Sequence, residues 1–267
     1  RPVTYLIWTV QATDGKVHAV QLSFDAAALL AVNTSDQTVD WSRQTVGPLT
    51  ALRVGTVDQP ILGKKGDNLR IDWGYLYVAA TTDSAAQMAV MPSSARGSFA
   101  VSGTLPAPDD HRKPRRADDD TPLLACAFDL GRVGKRLVRR TVLIGYDDIY
   151  SIEYFHTRLR PYWRRTGKSM EDVLKQAAAD QERLATACLR FDSELEADLA
   201  AIGGEAYRRL GVLAYRQALA GNKLTADAAG QPLLFPKENF SNGCIGTGDI
   251  IYPMAPEFLL FSPTLAK

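Results

Sequence analysis

The chain has 267 residues, 46% of them hydrophobic, enough for one large domain or two modest ones with a substantial core. Lysine plus arginine number 31 against 30 acidic residues, and no basic stripe carries interleaved aromatics, so nucleic acid is excluded as a partner class. No apolar run approaches the ~20 residues of a membrane-spanning helix, and the start at Arg1-Pro2-Val3-Thr4 lacks the order of a signal peptide, so neither membrane anchor nor export leader is expected in this chain.

Residues 1–147 read as antiparallel β structure. Residues 4–11 alternate, Thr13-Asp14-Gly15-Lys16 carries an Asp-Gly turn signal, and residues 17–24 alternate again, which predicts a β-hairpin. Further strands are expected at 38–44, 50–56, 69–80, 87–91, 98–102, 123–129 and 136–144, separated by Gly, Pro, Asp and Asn. Many short strands at such intervals indicate a sandwich. Residues 105–121 interrupt them with Pro106, Pro108, Pro114 and mixed charge, and are expected to form a solvated, mobile excursion. Its Asp118-Asp119-Asp120 run is either a cation ligand set or, the plainer reading, a solvated charge run.

After Asp147-Asp148 the pattern changes, and residues 148–267 read as a helical domain. An aromatic, basic connector at 150–163 leads into a helix that Ser169 caps, with Asp172 completing a capping box. Met170, Val173, Leu174, Ala177, Leu184, Cys188, Phe191, Leu195 and Leu199 recur at helical spacing, which makes Cys188 a core residue. Gly203-Gly204 ends this run and a second helix follows over 205–220, predicting an antiparallel helical hairpin. Residues 223–235 form a small hairpin about Asp227 to Gly230, and 255–260 are apolar. The chain stops with helical faces that need partners, which predicts either a homodimer through those faces or a truncated product.

Between these last elements, Lys237-Glu-Asn-Phe-Ser-Asn-Gly-Cys-Ile-Gly-Thr-Gly-Asp249 concentrates glycines and polar groups, with Glu238 and Asp249 at its ends. Glycine allows close backbone approach, and two carboxylates can do acid/base work or bind a ligand. The plainer alternative is an irregular connection whose carboxylates cap neighbouring helices. Glu238 and Asp249 are the catalytic candidates, and Asn239, Asn242, Cys244 and Thr247 the substrate-binding ones. Asp72 and Trp73 join them as residues able to line a sugar or amino-acid pocket, although aromatics on a strand are more often core. Arg158, Arg160, Arg164 and Arg165 either clamp a substrate carboxylate or pair with acidic groups.

Four motifs together are similar to one known family. They are Asp58-Gln-Pro-Ile-Leu-Gly-Lys-Lys-Gly-Asp-Asn-Leu-Arg-Ile-Asp-Trp-Gly-Tyr-Leu-Tyr77, Tyr150-Ser-Ile-Glu-Tyr-Phe155, Leu159-Arg-Pro-Tyr-Trp163 and the 237–249 loop. They resemble the glutaminase A family of fungi and bacteria across nearly the whole chain. The resemblance implies an α+β architecture, an amino-terminal β-sandwich followed by a six-hairpin (α/α) toroid of which this chain holds only the first part. It also implies an exported protein, secreted or periplasmic, that hydrolyses L-glutamine without an organic cofactor. The loop ending in Asp249 is further similar to one carrying a catalytic Asp in some six-hairpin glucosidases.

Elimination narrows the chemistry. No lysine has a serine three positions before it and no Gly-x-Ser-x-Gly elbow exists, which argues against the serine routes. The scattered His18, His111 and His156 and the three cysteines lack metal spacing, so no metal site is expected. Cys244 is flanked by glycines but has no evident histidine partner, and reads as a partly buried structural thiol. Carboxylate-directed attack by water remains, acting on glutamine or, alternatively, on a saccharide as a glycoside hydrolase; a non-catalytic carbohydrate-binding protein is the third reading.

Overall fold

The computed structural model describes residues 1–237 and 244–266, and the chain divides into two compact units. The first comprises Arg1–Ile61, Arg70–Ile149 and Lys168–Ala179; the second comprises Leu62–Leu69, Tyr150–Gly167 and Asp180–Lys267.

The first unit is a β-sandwich. One sheet has six strands in the order β1-β9-β5-β4-β3-β7, where β1 is Val3–Val10, β3 Thr38–Val46, β4 Leu49–Thr56, β5 Tyr75–Thr81, β7 Arg115–Arg116 and β9 Val138–Asp147. The other has three, β2 (His18–Ala27), β8 (Pro122–Val133) and β6 (Gln87–Pro92), in the order β2-β8-β6. All pairings are antiparallel. Alternation along the strands places Trp41, Leu52, Val54, Val78 and Val142 from one sheet against Val90, Leu124, Cys126 and Phe128 from the other. Each such side chain contributes roughly 1.5–3 kcal/mol of hydrophobic stabilisation.

The first two strands do not pair with each other. β1 pairs with β9, Val10 opposite Val138, and β2 pairs with β8, His18 opposite Val133, so the Asp14-Gly15 turn carries the chain from one sheet to the other. The expected hairpin is thus a crossover: the turn chemistry was right and the strand partner was wrong. The strand expected at 98–102 is also corrected, because Arg96–Ser102 forms the short helix α1. A strand would set Phe99 and Val101 on one face, whereas here Phe99 packs against Met91, Leu105 and Leu123 and Val101 is 91% exposed, the separation that helical spacing gives.

Residues 105–121 are not a loose excursion. Arg43 grips Asp109 through two hydrogen bonds of 2.8 and 2.6 Å, and Arg115 donates to Asp110 at 2.7 Å while its guanidinium lies 5.3 Å from the Trp41 ring. Trp41 Nε1 donates to the Asp110 carbonyl at 2.9 Å, and Asp120 accepts from Ser93 and Ser94. The charge run folds back on itself as ion pairs: Asp118 accepts from Arg116 at 3.0 and 2.9 Å.

Helix α2 (Met170–Ala220) begins in the first unit, where Met170, Val173, Leu174 and Ala177 are buried. Its capping box is reciprocal: Asp172 N–H donates to Ser169 Oγ and Ser169 N–H to the Asp172 carboxylate, both at 3.2 Å. Tyr5 hydroxyl donates to the Ala177 carbonyl at 2.7 Å, and Tyr77, 2% exposed, has its phenol pushed up to about 12 by burial.

In the second unit α2 breaks at Gly204, with φ 72° and ψ −169°. The two arms fold into an antiparallel hairpin: Phe191 and Tyr215 rings stand 5.4 Å apart, and Arg208 pairs with Glu196 across the bend. The burial expected for Cys188 is corrected, since it is exposed, as are Leu189, Ile202, Leu210 and Leu213 on the same helix. The small hairpin is present as β12 (Asn222–Ala226) and β13 (Pro232–Pro236), and a last helix, α3, spans Gly248–Phe261. Among the described residues, no helix is long and apolar enough to cross a membrane.

Candidate functional site

The second unit holds the loop that the sequence singles out. Glu238, Asn239 and Asn242 lie outside the described residues, but the base of the loop is defined. Lys237 and Ile245 form an antiparallel bridge, and Gly246, at φ +71°, donates its N–H to the Pro236 carbonyl at 2.9 Å. Ile245 packs with Leu233, Phe235, Ile152 and Leu159, so an apolar cluster pins the loop where it leaves and rejoins the small sheet.

Just beyond this base, Thr247 is the N-cap residue of α3 and Asp249 lies in its first turn, exposed to solvent. A helix start favours negative charge, so Asp249 occupies a place where a carboxylate is electrostatically welcome. Thr247 does not bond back to the helix, and its Oγ1 is buried with no hydrogen-bond partner. An N-cap threonine ordinarily satisfies a helix N–H, so a hydroxyl withheld from that task is available to a ligand or water.

Three further polar atoms among this unit's described residues share that condition: Trp163 Nε1, Asn222 Oδ1 and Glu257 Oε1 are buried without a partner. Asn222 Nδ2 donates to the Ala218 carbonyl at 2.5 Å and to Met254 Sδ at 3.3 Å, which brings the end of α2 against α3. Glu257 lies one turn beyond Met254, and burial raises its carboxyl above the usual range. Tyr215 is raised by burial and by the nearby Glu257 and Asp192. Sequence reasoning passed over Glu257; its signal was a single carboxylate inside the apolar run 255–260. Asp249 and Glu257 are eight residues apart on α3, about 12 Å along the axis.

The connector arginines are occupied locally. Arg158 pairs with Glu153 at 3.5 Å, while the guanidinium groups of Arg160, Arg164 and Arg165 lie over the rings of Tyr150, Trp163 and Tyr162 at 5.1, 4.5 and 3.7 Å. Cys244 is exposed rather than partly buried. No cluster of three or more His, Cys, Asp or Glu able to hold a metal occurs among the described residues.

Asp72 and Trp73 belong to the first unit, where they tie strands together. Asp72 is 2% exposed and accepts from Gln37 Nε2 at 2.9 Å, and its carbonyl accepts from Thr56 at 2.6 Å. Trp73 Nε1 donates to the Asp148 carbonyl at 2.8 Å, and Tyr146 hydroxyl donates to the Trp73 carbonyl at 2.8 Å.

A β-sandwich passing into an (α/α) hairpin, with a glycine loop delivering an acid to the next helix, defines the class: a sandwich followed by a helical-hairpin domain. Residues 1–198 match a domain of unknown function (DUF5127) and residues 204–267 match the glutaminase A six helical-hairpin domain, the two matches meeting near the Gly204 break in α2. The chain belongs to the family defined by the DUF5127 domain and is a relative of glutaminase A. It is 26% identical to Glutaminase A of Aspergillus oryzae over 270 residues, covering 99% of this chain and 39% of that protein. It is also 26% identical to a probable glutaminase of Arthroderma benhamiae over 223 residues, covering 73% of this chain and 24% of that one. The chain thus spans about two fifths and about one quarter of these relatives' lengths.

Proposed function

We propose that this protein hydrolyses the side-chain amide of L-glutamine, with Asp249 and Glu238 as the acid/base carboxylates. The observation that carries the reading is the placement of Asp249: exposed in the first turn of α3, directly after a glycine loop pinned at its base, inside the segment that matches the glutaminase A helical domain. One carboxylate takes a proton from water as the water oxygen bonds to the amide carbon. The C–N bond then breaks, the departing nitrogen receives a proton from the second group, and glutamate and ammonia leave. Thr247 Oγ1, buried and without a partner, supplies a hydrogen bond to the substrate or the attacking water. The reaction uses no organic cofactor, takes place outside the cytoplasm, and involves a small-molecule substrate, while the exposed apolar faces of α2 and α3 pair two copies of the chain.

Ammonia release from L-glutamine tests this. Asp249→Asn, with circular dichroism unchanged, is expected to lower kcat at least ~100-fold, the scale of losing one general acid or base. Full retention of activity in that variant excludes Asp249, and release of reducing sugar from a saccharide in place of ammonia moves the protein to glycoside hydrolysis.

A further inference from the structure

On β4, Arg53 stands between Leu52 and Val54, both fully buried in the sandwich core, so its side chain emerges on the opposite face of the six-stranded sheet. Register sets Ser42, Arg53 and Tyr77 in one row across β3, β4 and β5, and pairs Asp40 with Gly55 in the next. Tyr75, two residues before Tyr77, shares that face.

Arg53 is half-buried there, and its contacts are neutral. Its Nε donates to Ser42 Oγ at 3.0 Å, and its guanidinium lies 4.5 Å from the centre of the Tyr75 ring. Among the described residues no carboxylate forms an ion pair with it. Asp40, in the neighbouring row, is already engaged: it accepts from the Trp41 N–H at 2.8 Å and pairs with Lys113 Nζ at 3.3 Å.

Asp40, Ser42, Arg53, Gly55, Tyr75 and Lys113 line a cavity of ≈ 210 Å³. Two cations and one carboxylate face it, and Lys113 takes the carboxylate, so one positive charge is left over. A charge partly withdrawn from water without a counter-charge is costly, and an anion seated in the cavity recovers that cost.

Size and walls select the anion. The cavity equals the liquid volume of about seven waters and falls below the ~300–1,000 Å³ of pockets for drug-sized ligands, so the ligand is small. With Nε committed to Ser42, the two Nη groups of the planar fork are the donors left, and such a fork suits a carboxylate. The Tyr75 ring and Val57, 49% exposed at the same cavity, offer apolar surface that a hydrated inorganic anion does not use.

We infer that this cavity binds a small organic carboxylate, its carboxyl group on Arg53 and its apolar stem against Tyr75 and Val57. Every residue involved lies in the first unit, so the inference stands apart from glutamine hydrolysis in the second.

The test titrates butyrate into the isotope-labelled full chain and follows the Arg53 Nε–H and Gly55 N–H resonances by NMR, with butyramide as the uncharged counterpart and inorganic phosphate as the competing anion. A saturable shift with a dissociation constant on the order of 1 mM is expected for butyrate, a ligand of about six non-hydrogen atoms. Butyramide and phosphate are expected to bind at least ~fivefold more weakly, and Arg53→Met, read at Gly55, to weaken butyrate at least ~tenfold. Should Arg53→Met fail to fold, Arg53→Lys keeps the charge without the planar fork and is expected to bind butyrate at least ~threefold more weakly. Absence of a saturable shift in the natural protein overturns the inference. So does butyramide or phosphate binding as tightly as butyrate, or undiminished butyrate binding in the folded variant.

Discussion

A methyl group on Gly74 would stand 2.0 Å from the carbonyl oxygen of Asp147, so the backbones of β5's leading turn and the end of β9 touch at a place only glycine fits. Gly74 also has φ +77°, and its N–H donates to Gln59 Oε1 at 2.7 Å. Gly74→Ala is expected to cost at least ~2 kcal/mol, because strain at positive φ adds to a contact with backbone that cannot turn aside. The urea midpoint followed by tryptophan fluorescence checks it, Trp73 being the adjoining residue.

The sandwich was legible because each strand has one face toward the opposite sheet, which writes alternation directly into residues such as Val39, Trp41, Leu52 and Val54. Strand partners were not legible: Asp14-Gly15 signals a reversal but is silent about whether the next strand joins the same sheet. The 105–121 region misled for a related reason, since composition reports charge while the pairing of Arg115 with Asp110 beneath Trp41 depends on three-dimensional neighbours. In the second unit the break at Gly203-Gly204 could be read from glycine alone. The turn at Phe155-His156, both with positive φ between paired Tyr154 and Thr157, could not, because these residues carry no turn signature, and Glu257 was masked by the apolar residues around it.

Arg115 and Asp110 form a buried ion pair in the first unit, with side chains 7% and 6% exposed and 2.7 Å between them. Arg115 also donates to the Asp120 carbonyl at 3.0 Å. Without Arg115 the buried Asp110 carboxylate keeps only the exposed Arg112 as a cationic partner, so Arg115→Ala is expected to destabilise at the low end of the about 3–5 kcal/mol that breaking a buried pair costs. Arg116→Ala, whose pairing with Asp118 is solvent-exposed, should cost under ~1 kcal/mol. Equal effects in chemical denaturation would show that residues 105–121 do not depend on the buried pair.

Acid should unfold the first unit through this same region. Burial alone would raise the Asp109 and Asp110 carboxyls, but hydrogen bonds from Arg43 to one and from Arg112 and Arg115 to the other hold both below the ordinary range. Hydrogen bonds from the Ser94 backbone and side chain hold Asp120 at about 2. A carboxyl whose folded pKa is depressed stabilises the fold above its unfolded pKa of about 3.9, and that contribution disappears as pH falls through the folded value. Stability is therefore expected to be level from neutrality to about pH 5 and to fall between about pH 4 and 2. Urea melts at stepped pH check this, and Arg43→Ala should flatten the acid limb by removing the Asp109 shift.

Gly204 offers a cleaner test of backbone than Gly74, because a Cβ there would meet nothing within 4 Å. Its φ 72° and ψ −169° fall in a region essentially reserved for glycine, so Gly204→Ala perturbs conformation without creating a clash. The substitution is expected to cost roughly 1–3 kcal/mol. Alanine also favours the helix, by about 1 kcal/mol over glycine, so the strain can be relieved by straightening α2 through the bend. That would separate Phe191 from Tyr215 and Arg208 from Glu196, pairs that meet only because the arms fold back. A double-mutant cycle between Phe191→Leu and Tyr215→Leu distinguishes the outcomes: coupling of about 0.5–1.5 kcal/mol is expected with Gly204 in place and none with alanine there. Coupling that survives the alanine would mean that packing between the arms, and not the glycine, holds the bend.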